Sequence, residues 1–228
     1  MNAASAAPLS TGEHVVRMAG LLTRFNLHPE AQIHPSWLPP DWPAVYRAPQ
    51  RLGGAGQHVL SDLLRSRLPE PQGYDTDFGS SRKRLALLDG RELRMLALYY
   101  GFGAHRALLK RRGIGAPLRR QLRRFGPETA SFVMERMPEL SAFAMNNHAL
   151  EQRPLGAGRV ILRRGARLLL ALMAADGSAL LERTRLKLPR RLAAGELPVL
   201  TTPQRAQLDE LIQLSIVPER LPAWHWLF

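Results

Sequence analysis

The chain has 228 residues, 45% of them hydrophobic and 22% charged, which is typical of a folded globular protein and excludes a wholly disordered one. It carries 32 lysines and arginines against 19 aspartates and glutamates, and its net charge of +13 suggests an anionic partner. The absence of cysteine excludes disulfides, thiolate zinc sites, iron–sulfur clusters and cysteine nucleophiles. Its longest uncharged apolar runs reach about half of the ~20 residues that span a bilayer. The first residues lack the pattern of a secretory signal, so we expect a cytoplasmic protein.

The first third of the chain alternates between helices and irregular segments. Apolar side chains at helical spacing predict a helix over 12–26 and a second one over 57–67. Between them, six prolines and two tryptophans within 27–49 exclude a regular α-helix and predict an extended segment packed on the body by its aromatics. The polar, turn-rich residues 70–81 are predicted to form an internal loop.

The middle of the chain carries the strongest helical pattern. An aspartate followed by an acidic first turn predicts the start of a helix over 89–111. Between residues 93 and 102 this helix is apolar on nearly all sides, so we expect it to lie at the centre of the fold. Two glycines end it, and Pro117 opens a shorter helix whose leucines and Phe125 are predicted to face inward while its arginines face solvent.

The last third continues the helical pattern with one predicted exception. Helices are predicted over 159–175 and 203–216, whereas leucines alternating with basic residues over 184–188 predict one short strand. The C-terminal aromatics are predicted to fold back onto the core, because exposed apolar patches are uncommon in monomers. The predicted fold is mainly α: a loose tail at 1–11, then a single irregular helical domain over 12–228 with at most a short β element.

No motif for catalysis or cofactor binding is found in the sequence. Its seven histidines are scattered, no HExxH motif is present, and no glycines form a nucleotide loop between a strand and a helix. A GxSxG elbow is absent, and no carboxylate pair has the apolar setting that would raise a pKa for acid–base chemistry. We therefore predict no catalytic residues, no metal site and no cofactor, and a protein that is not an enzyme.

A basic run in the middle of the chain is the first candidate for a binding site. Nine basic residues and no acidic one lie between positions 93 and 127. The predicted partner-binding residues of this run are Arg106, Lys110, Arg111, Arg112, Arg119, Arg120, Arg123 and Arg124.

Three interpretations of this run remain open. In a helix-turn-helix, residues 116–125 would enter a DNA major groove, where arginines can hold phosphates. Few side chains there could read base edges, and no outward aromatic would stack on a base, so such binding would be non-specific and salt-sensitive. The guanidinium groups could instead pair with carboxylates of an acidic protein surface, or merely solvate helix faces.

Trp37 and Trp42 of the proline-rich segment are the second candidate. Buried aromatics often anchor protein interfaces, so these two side chains could dock on a partner. They could equally clamp the segment to the core of their own chain.

Four stretches resemble the SctK family, the accessory cytosolic proteins of bacterial type III secretion systems. They are FNLHP at 25–29 with IHPSWL at 33–38, RLALL at 84–88 leading into 93–103, and RLKLP at 185–189. The resemblance covers about residues 24–216, and its motifs are short and structural.

This resemblance implies a non-enzymatic adaptor of the secretion sorting platform. Such a protein joins the cytoplasmic domain of the inner-membrane ring protein, SctD, to the pod protein, SctQ, and through the pods reaches the stator and the ATPase. It would lie at the cytosolic face of the inner membrane without inserting into it, and nucleic acid would not be its partner. The family has no catalytic residues to carry over.

Overall fold

The computed structural model of the protein describes residues 11–66, 76–143 and 147–228. Within these ranges the backbone forms thirteen α-helices, short 3-10 and π turns, and no strand, so the predicted mainly α fold is confirmed. The α-helices are α1 (Thr11–Leu27), α2 (Gly54–Arg65), α3 (Ser81–Arg84), α4 (Gly90–Ala104), α5 (Arg106–Lys110), α6 (Gly115–Arg123), α7 (Pro127–Ser131), α8 (His148–Gln152), α9 (Pro154–Met173), α10 (Ser178–Lys187), α11 (Arg190–Ala193), α12 (Thr202–Leu211) and α13 (Val217–Arg220). The 3-10 turns are Pro29–Ala31, Pro35–Trp37, Ala44–Arg47, Pro49–Arg51, Leu85–Leu87, Ala174–Asp176 and Pro222–Leu227, and the π turns are Phe132–Arg136 and Ile212–Ile216. The predicted tail, apart from Thr11, and residues 70–75 of the predicted loop lie outside the described residues.

Two long helices, α4 and α9, form the centre of the core. Every residue of α4 from 96 to 103 is buried, which confirms the predicted central helix over most of its length. α9 packs along α4 and also contacts α6, α8, α10 and α11, so most of the fold is organised around these two elements. None of the helices in the described parts of the chain is both long and apolar enough to cross a membrane.

Glycines let the α4 and α9 backbones touch. A Cβ built on Gly165 of α9 would lie 2.8 Å from the Cα of Gly101 on α4 and closer still to the carbonyl oxygen of Ala97. A Cβ on Gly101 would lie 3.2 Å from Cγ2 of Ile161 and would overlap the Ile161 carbonyl oxygen. Ordinary contact between carbon atoms needs about 3.5 Å or more, so only glycine fits at these two positions.

The predicted helix over 89–111 is interrupted at His105, which separates α4 from α5. The His105 ring is buried, with Nδ1 2.7 Å from Oδ1 of Asn147 and Nε2 3.3 Å from the guanidinium of Arg164. Burial is the largest cause that lowers the pKa of His105, to about 4, and the positive charge of Arg164 lowers it further, while the bond to Asn147 opposes both. The imidazole is therefore neutral at pH 7 and joins three segments of the chain.

The predicted strand over 184–188 is wrong, because α10 extends through Lys187. Leu180, Thr184 and Lys187 form the buried face of this helix, and the hydroxyl of Thr184 donates to the carbonyl of Leu180. Two of the three inward residues are polar, so the apolar spacing of a helix is hidden in the sequence. The Nζ of Lys187 donates to the carbonyls of Ala86 at 2.6 Å and Leu88 at 3.1 Å, which satisfies the buried amine.

The proline-rich segment at 27–49 is not extended as predicted, although it contains no α-helix after the end of α1 at Leu27. It folds into successive 3-10 turns, several of which begin at a proline because that residue needs no backbone N–H at the first helical position. The segment covers a small second core of Ile33, Leu38, Leu60 and Leu64, the last two from α2.

Residues 186–190 hold this proline-rich segment to the body. The backbone N–H of His34 donates to the carbonyl of Leu186 at 2.8 Å, and the indole of Trp37 donates to the carbonyl of Leu188 at 2.7 Å. The backbone N–H of Arg190 donates to the hydroxyl of Ser36 at 2.9 Å. The segment is thus fixed by specific bonds as well as by apolar contact.

The C-terminal aromatics fold back onto the core, as predicted. Leu227 is fully buried, and Trp224, Trp226 and Phe228 are half-buried against the main core. Trp226 also stacks on His14 of α1, with ring centroids 5.8 Å apart, so the two ends of the described chain pack together.

Candidate partner-binding surface

The basic face is built on α6 and on the turns at its two ends. Leu118 and Leu122 of α6 are fully buried, which directs Arg120 and Arg123 on the opposite side of the helix toward solvent. At its start, Gly115 packs so closely on α5 that a Cβ there would lie 3.0 Å from the carbonyl carbon of Leu109. The pair α5 and α6 therefore presents its arginines from a fixed support.

Two of the predicted binding residues are structural. Arg106 donates from its guanidinium to the carbonyl of Met134 at 2.8 Å and to that of Met137, which ties α5 to the turn after α7. Arg119 donates to the carbonyl of Leu109. Both arginines are half-buried, and their guanidinium groups already donate to backbone carbonyls within the fold.

The remaining predicted residues of the run lie at the surface. Arg111 forms an ion pair with Glu151. The side chains of the other five are exposed and make no hydrogen bond or ion pair with any residue that the structure describes: Lys110, Arg112, Arg120, Arg123 and Arg124. Five of the eight predicted binding residues of the run are therefore exposed cations without a carboxylate partner in the described structure.

A groove lies between α6 and the first turns of α9. Its volume is about 550 Å³, and it is open to solvent. Its lining residues are Pro117, Arg120, Gln121, Arg124, Phe125, Gly156, Gly158, Arg159 and Leu162. Three arginines and no acidic residue therefore surround it among the described side chains.

The floor of the groove is fixed by one contact between its two helices. The backbone N–H of Gly158 donates to Oε1 of Gln121 at 2.8 Å. A Cβ on Gly158 would lie 3.0 Å from Cδ of Gln121 and overlap that same oxygen, so a larger residue at this position would displace the Gln121 side chain and break this bond.

Two groove residues were missed by sequence reasoning. Phe125, predicted to face inward, is 50% exposed, so that prediction is wrong. α6 ends at Arg123, and Phe125 lies in the turn before Gly126, whose φ of +110° redirects the chain, so helical spacing no longer applies at that position. Arg159 lies in α9, 35 positions after Arg124, the last arginine of the basic run, and only the packing of α9 on α6 brings it to the groove.

Trp37 and Trp42 lie apart from the basic run in the described contacts. Trp37 is half-buried, donates its indole N–H to Leu188, and is covered by the guanidinium of Arg190 at 5.7 Å. The ring of Trp42 packs edge-on against Tyr46, with centroids 5.8 Å apart. Both side chains pack within their own chain, which matches the clamp interpretation, and Trp37 would have to leave its hydrogen bond to serve as an anchor.

In the described residues, no group of three or more histidine and acidic side chains is placed to hold a metal ion. His105, whose pKa is lowered to about 4 by burial, lies between helices and does not line the groove. The surface therefore offers charge and apolar contact to a partner.

A family model described as "YOP proteins translocation protein K (YscK)" matches residues 21–227. No curated protein and no solved structure matches the chain significantly. The family match covers the end of α1, the proline-rich segment, both central helices and the C-terminal tryptophans.

Proposed function

Because the chain belongs to the YOP proteins translocation protein K (YscK) family, whose members take part in type III secretion, we propose that it is a non-enzymatic adaptor of the sorting platform. This is the family that the sequence resembles under the name SctK, so that prediction is confirmed. In the proposed role it links the cytoplasmic domain of SctD to SctQ, and so connects the stator and the ATPase to the cytosolic face of the inner membrane.

The exposed cations of the basic face are the observation that supports an adaptor. Arg120, Arg123 and Arg124 have no carboxylate partner in the described parts of the chain and stand on α6 and the turn that follows it. Guanidinium groups of this kind pair with carboxylates in two-pronged hydrogen bonds, and a positive patch steers an acidic partner during encounter. An acidic surface on SctD or SctQ would therefore find both attraction and geometric specificity here.

Charge reversal tests this proposal directly. Binding of the purified chain to the purified SctD cytoplasmic domain and to SctQ is measured for the combined variant Arg120→Glu, Arg123→Glu and Arg124→Glu. We expect affinity for one partner to fall about tenfold or more, because attraction becomes repulsion at the interface. Arg119 is left unchanged, since it holds the carbonyl of Leu109.

A matched control separates the basic face from net charge. The combined variant Arg51→Glu, Arg91→Glu and Arg191→Glu makes the same change in charge at exposed arginines elsewhere. This control should bind like the wild type at physiological salt. Equal binding by both triple variants and the wild type would contradict the proposal.

Nucleic-acid binding remains the competing function, and one observation favours it more than the sequence did. The exposed ring of Phe125 stands beside arginines, the combination on which single-stranded bases stack. A titration with random single-stranded and duplex DNA decides between the two. Sub-micromolar binding at physiological salt would assign the basic face to nucleic acid.

A further inference from the structure

We propose that the groove between α6 and α9 binds an acidic linear segment of the secretion partner, in which a large apolar side chain stands between carboxylates. The inference rests on the proposed adaptor function and names the part of the basic face that recognises the partner. In the proposed complex, Phe125 and Leu162 contact the apolar side chain of the bound segment. Arg120, Arg124 and Arg159 pair with the carboxylates on either side of it.

The charges of the groove call for a polyanionic segment. Arg120 and Arg124 are four positions apart along α6 and the turn that follows it, so they point to one side, and Arg159 faces them from α9. All three are exposed and form no ion pair with a described residue. Clusters of arginine are the usual means by which proteins recognise acidic peptide motifs.

The apolar part of the groove separates a peptide from a bare anion. Phe125 leaves half of its surface in water, and Leu162 and Pro117 line the same space. A phosphate or an isolated carboxylate would leave these surfaces wet, whereas an apolar side chain beside the carboxylates would cover them and gain from the burial. Aromatic and arginine residues together are also the side chains that most often dominate interface energies.

The shape of the groove favours a linear segment over a flat surface. Its volume of about 550 Å³ lies within the range of concave ligand sites. The bond between Gln121 and Gly158 fixes its floor before any partner arrives. A preformed site of this kind orders few of its own groups on binding, so less of the interaction energy is lost.

Two single variants of the full chain test the site, each with a matched control. Phe125→Ser and Arg159→Glu alter the groove. Arg163→Glu makes the same charge reversal, and Val160→Ser also replaces an exposed apolar side chain by serine, at positions of α9 that do not line the groove. Affinities for the purified SctD cytoplasmic domain and for SctQ are measured by titration. We expect each groove variant to weaken binding to the same one partner about tenfold, and each control less than about twofold.

The outcomes for the adaptor and for the groove are distinct. Failure of the wild-type chain to bind either partner overturns the adaptor function and the inference that rests on it. If the wild type binds a partner and neither Phe125→Ser nor Arg159→Glu weakens that binding, the inference about the groove is overturned while the adaptor function stands. Because both altered side chains are exposed, circular dichroism and thermal unfolding should match those of the wild type and exclude misfolding as the cause.

A crosslinking experiment identifies the occupant. The photoreactive substitution Phe125→p-benzoylphenylalanine is introduced, the complex with the bound partner is irradiated, and the crosslinked peptide is read by mass spectrometry. We expect a segment with an apolar side chain flanked by aspartate or glutamate, and its labelled synthetic peptide should bind until those acids are changed to amides. Crosslinks to a segment without acidic residues, or tighter binding of an oligothymidine to the groove, would overturn the proposal.

Discussion

Replacing Gly165 by alanine should destabilise the protein through the α4–α9 crossing. The new Cβ would lie 2.8 Å from the Cα of Gly101, where about 3.5 Å or more is needed, and closer still to the carbonyl oxygen of Ala97, so the two helices must separate by at least about 1 Å. Both contacting groups are backbone, so no side chain can rotate away. A gap of about that size removes roughly a quarter to a half of the van der Waals attraction between the facing atoms of the two helices.

The expected loss follows from two opposing effects. Overpacking of a core by one methyl group costs about 1–3 kcal/mol, and rigid backbone contacts put Gly165→Ala near the upper value. Alanine in place of glycine inside a helix stabilises the folded state by about 1 kcal/mol. The net loss is then roughly 2 kcal/mol, which for a chain of this size lowers the melting temperature by about 4–8 °C.

Thermal and urea unfolding of Gly165→Ala measure this loss, and Gly20→Ala supplies the control. Gly20 lies inside α1, and a Cβ there meets no atom within 4 Å. Gly20→Ala should gain helix propensity without any overpacking, so its free energy of unfolding should rise by up to about 1 kcal/mol. A Gly165→Ala variant as stable as the wild type would refute the close contact between the two backbones.

Two buried titratable groups give further predictions. Burial lowers the pKa of Lys187 to about 7, with Arg24 contributing and Asp89 opposing. The unfolded chain keeps this proton up to a pH of about 10.4, so stability should rise between pH 7 and 10, and urea titrations of Lys187→Met should lose that rise. For His105, with a pKa of about 4 in the folded chain and about 6.5 when unfolded, stability should fall as pH decreases from 6.5 toward 4. The fall should reach about 3 kcal/mol at most and be smaller in His105→Gln; equal pH profiles would refute it.

The sequence predicts those parts of the fold in which apolar spacing alone decides the structure. α4 and α9 are found where the pattern indicates them, because their inward residues are nearly all leucine, alanine or aromatic. α10 is missed because Thr184 and Lys187 face inward and find partners in backbone carbonyls. The carbonyls that accept from Lys187 belong to Ala86 and Leu88, which lie 101 and 99 positions earlier in the chain, so no local sequence pattern predicts them.

The same limit applies to the candidate site. The basic run identifies the exposed arginines of α6, but it also includes Arg106 and Arg119, whose carbonyl partners are set by the packing of neighbouring turns. Arg159 and Phe125 reach the groove only through the approach of α9 and the turn at Gly126. A binding surface assembled from two helices therefore needs the structure before its members can be named.

The bonds between the proline-rich segment and residues 186–190 impose an order on folding during synthesis. Trp37 finds its acceptor, the carbonyl of Leu188, 151 positions later in the chain. At roughly 5–20 residues per second on the ribosome, that acceptor is made about 8–30 s after the indole. Contacts of such high sequence separation also form slowly. For that interval the indole of Trp37 has no Leu188 acceptor, and a partner that needs this side chain would meet it most readily on the nascent chain.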